Sequence, residues 1–124
     1  MDNQVDYLIE RLIEITSYDM SEVNVFVFGY KDLGKRLTRR LLQMGARVRV
    51  GDLLDNNMVD PANDYITYVY SSKTETIKSL INSDDVVINT IPNIFSSGSY
   101  GCKSKCIIDI DNYNKDNQKT YIKK

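Results

Sequence analysis

Asn24 to Asp52 reads N-V-F-V-F-G-Y-K-D-L-G-K-R-L-T-R-R-L-L-Q-M-G-A-R-V-R-V-G-D. An apolar run, Val25 to Phe28, stops at Gly29. A short turn leads to Gly34 and to a segment in which Leu33, Leu37, Leu41 and Met44 recur at helical spacing, with Lys35, Arg36, Arg39 and Arg40 on the other side. Gly45 suits the position just past a helix end. Arg47 to Val50 then alternates polar and apolar residues and runs into Gly51-Asp52. Strand, tight turn, helix, strand, acid is the order of a dinucleotide-binding βαβ unit.

The turn departs from the G-x-G-x-x-G fingerprint at one place. Gly29 and Gly34 occupy the first and third glycine positions, and Lys31 stands at the second. The first glycine permits the tight turn, the second lets a pyrophosphate approach the backbone, and the third lets helix and strand pack closely. A side chain at position 31 crowds a phosphate, and it is strained by roughly 1–2 kcal/mol if the backbone there is left-handed. The same side chain brings a positive charge to the place where a pyrophosphate lies. Asp52 sits near the distance of roughly 20 residues at which an acid accepts hydrogen bonds from the adenosine ribose. An acid there repels a 2′-phosphate, so NAD is expected over NADP.

Outward from this unit, Val5, Leu8, Ile9, Leu12 and Ile13 have helical spacing, so residues 3–17 are expected to form an amphipathic helix ahead of the first strand. Its polar face carries Asp6, Glu10, Arg11 and Glu14, and Tyr18 to Glu22 connects it to a strand over Val23 to Phe28. Packing on its own sheet is the expected role of this helix; packing on another protomer is the other. Residues 53–64 are rich in turn formers and read as a loop. Tyr65 to Tyr70 (Y-I-T-Y-V-Y) reads as a third strand, at a sheet edge or an interface. Ser71 to Ser83 reads as a helix with Ser72 or Thr74 as cap and Ile77, Leu80 and Ile81 inward. Asp85 to Thr90 is a fourth strand, apolar on both faces and so expected beside the first. Ile91-Pro92-Asn93 follows it into the crevice where ligands bind in open α/β sheets. Residues 95–104 read as a mobile glycine- and serine-rich loop, Cys106 to Ile110 as a fifth strand, and Thr120 to Ile122 as a short last strand or a frayed end within a tail over 111–124.

Composition narrows the classes of function. At 124 residues, 1–124 is expected to be one domain. With 16 basic and 17 acidic residues there is no positive excess to attract nucleic acid. No apolar run nears the roughly 20 residues that span a membrane, and the polar N-terminus does not resemble a secretory signal, so a cytoplasmic location is expected. Cys102 and Cys106 read as free thiols. The chain contains no histidine, which removes every mechanism with a histidine base or metal ligand.

Three stretches, F-V-F-G-Y-K-D-L-G-K-R-L-T-R-R-L-L-Q-M-G-A-R-V-R-V, D-V-V-I-N-T-I-P-N and C-I-I-D-I, resemble the NAD(P)-binding domain of the A-type subunits of dipicolinate synthase. They are also similar to the cofactor domains of S-adenosylhomocysteine hydrolases and D-2-hydroxyacid dehydrogenases. The resemblance implies an α/β, Rossmann-like, doubly wound parallel sheet with strand order 3-2-1-4-5. It places Gly29, Tyr30, Lys31, Asp32, Leu33 and Gly34 on the pyrophosphate, Asp52 on the ribose, and Thr90, Ile91 and Pro92 along the adenosine or the nicotinamide ribose. The chain departs from those families at Lys31 and in having no room for their substrate-binding domain.

Two functions follow as expectations. One is a stand-alone NAD-type dinucleotide-binding domain serving an oxidoreductase whose substrate part is another chain. The other is a degenerate domain used as a homodimeric interaction module, with no cofactor if Lys31 closes the site. An S-adenosylmethionine-dependent methyltransferase is a weaker third reading, because Phe28 stands where such enzymes usually carry an acid before the turn.

Overall fold

The computed structural model of the chain describes residues 3–16, 19–53, 66–83, 85–92, 104, 106–110 and 121–122. The strands are β1 (Asn24–Phe28), β2 (Arg47–Asp52), β3 (Thr67–Tyr70), β4 (Val86–Asn89), β5 (Cys106–Asp109) and β6 (Tyr121–Ile122). The helices are α1 (Asn3–Thr16), α2 (Asp32–Gln43) and α3 (Thr74–Ser79), with a 3₁₀ turn over Met20–Glu22. The strands form a mixed sheet of order β3-β2-β1-β4-β5-β6. Neighbours from β3 to β5 run parallel, and β6 is antiparallel to β5. The expected all-parallel order 3-2-1-4-5 is thus extended by a sixth, reversed strand. An antiparallel edge strand on a parallel sheet is a common way to end it.

β1 is apolar on both faces because both faces are covered. Val25 and Val27 point to one side, with Val48, Val50, Ile88 and Ile108 from the other strands. Leu37 and Leu41 of α2 and Val5, Leu8, Ile9 and Leu12 of α1 close that side. Phe26 and Phe28 point to the other, with Val87, Ile107 and, from and just after α3, Ile77 and Ile81. The period-2 alternation of a strand sends successive residues into two separate cores. α1 packs on α2 and on β5, so the leading helix lies on its own sheet.

Several boundaries and faces differ from expectation. Ile13, expected inward, is 46% exposed, because α1 seats on the stripe Val5, Leu8, Ile9, Leu12 and Ile13 lies at its margin. The helix expected over Ser71 to Ser83 is only Thr74–Ser79, preceded by Lys73 as N-cap and a bond from the Lys73 N–H to Ser71 Oγ. Leu80, expected inward, is 42% exposed: it lies past the last helical turn, and its carbonyl accepts a bond from Arg49 Nη1. Met20–Glu22 is a capped 3₁₀ turn rather than a plain connection, with Asp19 Oδ1 accepting from the Ser21 N–H. β3 lies at the sheet edge, one of the two places its composition suggests. Residues 17–18, 54–65 and 93–103, which include most of both expected loops and Cys102, lie outside the described residues, as do 111–120 of the tail. Ser104 is buried, and its hydroxyl bonds the Asp85 carbonyl at 2.7 Å. No helix among the described residues is long and apolar enough to cross a membrane.

Candidate functional site

Register sets the site. Phe28 pairs with Gly51 on one side and with Asn89 on the other, so the carboxyl ends of β2, β1 and β4 stop at one level. Gly29 then leaves β1 with φ +102°, a conformation that favours glycine. Its N–H donates to the Gly51 carbonyl at 2.7 Å, which ties the turn to β2. On the other flank the Thr90 N–H donates to the Phe28 carbonyl, as does the Thr90 hydroxyl, both at 2.9 Å. A Cβ on Gly29 would come within 2.5 Å of Thr90 Oγ1. A Cβ on Gly34 would lie 2.8 Å from the Gly29 carbonyl carbon and closer still to its oxygen. The first and third glycines therefore do what their positions demand: one bends the chain, the other lets α2 start hard against the turn.

Lys31 is not strained. Its φ of −75° and ψ of −165° are extended backbone that any residue adopts, so the expected left-handed penalty does not exist. Lys31 is the N-cap of α2, its carbonyl accepting from the Lys35 N–H at 2.9 Å, and its side chain is exposed. Asp32 begins the helix with its side chain in solvent, 3.6 Å from Arg36 Nη2.

Tyr30 turns the other way. Its ring is fully buried in the α1–α2 core, with the Lys35 ammonium 5.7 Å from its centroid. Its N–H donates to Asp52 Oδ2 at 2.6 Å, and Asp52 Oδ1 accepts from the Leu53 N–H at 2.6 Å. Asp52 is 3% exposed. The acid at the end of β2 thus braces the turn after β1.

Gly29, Lys31, Leu33, Gly34, Asp52, Thr90, Ile91 and Pro92 line one cleft of about 420 Å³, together with Leu53. Tyr30 and Asp32, placed on the pyrophosphate by the resemblance, do not line it: one side chain is in the core, the other in solvent. Two contributors escaped the sequence reading. Leu53 adds an apolar wall. Asn89 shapes the loop after β4, donating from Nδ2 to the Ile91 carbonyl at 2.8 Å and to Asp109 Oδ1 at 3.1 Å, and accepting the Ile91 N–H on Oδ1 at 3.1 Å. A fully buried asparagine in the apolar run V-V-I-N was the available signal, since buried amides must find partners.

A slightly larger concavity, about 470 Å³, lies at the amino ends of the strands. Its charged side chains all have partners within it. Arg49 pairs with buried Asp85, which also accepts the Asn82 N–H at 2.8 Å, and Arg47 Nε donates to Asn24 Oδ1 at 2.8 Å. That network joins β2 to the start of β4 and is structural. The cleft at the carboxyl ends of β1 and β4, where the strand order reverses, is the better candidate.

A parallel β-α-β core with a cleft at the carboxyl ends, where strand order reverses, defines a Rossmann-like α/β domain. Among solved structures, the chain is similar to the A-type subunit of dipicolinate synthase from Bacillus halodurans, with a TM-score of 0.56 and 28% sequence identity. The match covers 73% of this chain and 31% of that one, so the chain corresponds to about a third of that protein. No protein-family model and no curated protein matches it.

Proposed function

We propose that the chain binds an NAD-type dinucleotide in the switch-point cleft, as the cofactor-holding component of an oxidoreductase whose substrate part is contributed by another chain. The observation that carries this reading is the convergence of three elements on one cleft. The turn at Gly29 to Gly34 supplies the open start of α2, β2 supplies a carboxylate, and the segment after β4 supplies Thr90, Ile91 and Pro92. The N-cap side chain makes no capping bond, so helix N–H groups remain for a phosphate. In this reading Asp52 accepts a ribose hydroxyl and repels a 2′-phosphate, which favours NAD over NADP. The likeness to one subunit of dipicolinate synthase supports a role as one part of an assembly.

The competing reading, a homodimeric interaction module without cofactor, draws on the Tyr30–Asp52 bond, which already occupies one oxygen of the proposed ribose acceptor. Thermal unfolding with and without NADH separates the two. A ligand at a hundred times its dissociation constant stabilises the native state by about 2.7 kcal/mol. A saturable rise in melting temperature with NADH, smaller with NADPH, is expected. No shift at millimolar nucleotide, with a concentration-dependent dimer in solution, would favour the module.

A further inference from the structure

Lys31 is the residue at which the turn breaks its pattern, and its surroundings give the substitution a use. We infer that Lys31 is the specificity-determining residue of this cleft: its ammonium selects phosphorylated ligands by charge, replacing the close backbone approach that glycine gives. This rests on the nucleotide reading above. Lys31 lines the cleft from the turn, and its backbone is unstrained, held by the Lys35-to-Lys31 helix bond. The lysine therefore does not distort the site that it modifies.

The other charges near the cleft are committed elsewhere. Asp52, on the opposite wall, accepts two backbone N–H groups. Asp32 faces Arg36 in solvent, and the Lys35 ammonium lies over the Tyr30 ring. Among the described residues no ion pair involves Lys31. Of the remaining wall residues, Leu33, Leu53, Ile91 and Pro92 are apolar, and the Thr90 hydroxyl is bonded to the Phe28 carbonyl. A cation beside this apolar wall suits a ligand with an apolar base and an anionic group, which is the chemistry of a nucleotide and not of a bare nucleoside.

The test is a ligand series, adenosine, AMP, ADP-ribose and NADH, titrated calorimetrically against the full chain and against Lys31→Met, Lys31→Gly and Lys31→Arg. The native protein is expected to bind the phosphorylated ligands more tightly than adenosine. Lys31→Met and Lys31→Gly should each weaken the phosphorylated ligands about tenfold and leave adenosine unchanged, with Lys31→Arg restoring most of the loss. The native advantage should also shrink as salt screens the exposed charge. Unchanged melting temperatures would show that these variants fold. If Lys31→Gly binds NADH as tightly as the native chain or more so, the lysine merely obstructs and the inference fails while the cleft reading stands. If the native chain binds no member of the series, both fail together.

Discussion

Asp52 joins three elements through one carboxylate. It is buried, holds the Tyr30 N–H of the first turn and the Leu53 N–H beyond β2, and faces the cleft. Asp52→Ala leaves the Tyr30 N–H buried without this acceptor, which should cost about 1–3 kcal/mol in urea unfolding. The same change should remove NADH binding more completely than it lowers stability. Equal binding by a folded Asp52→Ala protein would take the ribose role away from this residue. Cys106 carries a separate, pH-dependent prediction. Burial pushes its thiol up from an ordinary value near 9 to about 11. Between those values the folded chain keeps a proton that the unfolded chain has lost, so this stabilising term is present below pH 9 and declines as pH rises to 11. The stability difference between the native chain and Cys106→Ala should be flat below pH 9 and fall across that window. A difference that stays flat to pH 11 would refute it.

At the scale of elements, the β1–α2 junction decides whether the cleft exists. Gly34→Ala would drive a Cβ into the Gly29 backbone carbonyl, and neither the strand nor the helix can yield that space cheaply. The expected outcome is a loss of about 3 kcal/mol or more, or failure to fold, measured by denaturant midpoint. A stable Gly34→Ala protein would mean that α2 is seated differently. This junction was legible in the sequence because glycine spacing and an unbroken apolar strand are local signals. The destination of the third strand at an edge and the pairing of the fourth beside the first were legible for the same reason. What escaped was tertiary. That Ile13 and Leu80 face solvent depends on where α1 and α3 find their partners. That Tyr30 enters the core, and that its N–H meets Asp52, depends on the φ of Gly29 and on strand register, which motif spacing does not contain. Lys31 shows the converse: its identity suggested strain, and the observed backbone removes it.

Across the whole molecule the sheet divides its labour between its two ends. The amino ends are fastened by the Arg49–Asp85 pair, the bonds from Arg49 to the Leu80 carbonyl and from the Asn82 N–H to Asp85, and the buried Ser104 hydroxyl. The carboxyl ends carry the turn, the buried acid and the open cleft. This polarity is what an open parallel sheet imposes, since its crossovers deliver loops and helix starts to one end. The correspondence with about a third of the dipicolinate synthase polypeptide agrees with a Rossmann-like core.

The most direct test of the nucleotide reading is an amide NMR titration of the isotopically labelled chain with NADH. Saturable shifts are expected for Gly29 to Gly34, for Asp52 and Leu53, and for Thr90 and Ile91, with the amino-end residues Asn24, Arg47 and Asn82 unmoved. An absence of saturable shifts, or shifts centred on the amino-end concavity, would contradict the assignment of this cleft as the nucleotide site.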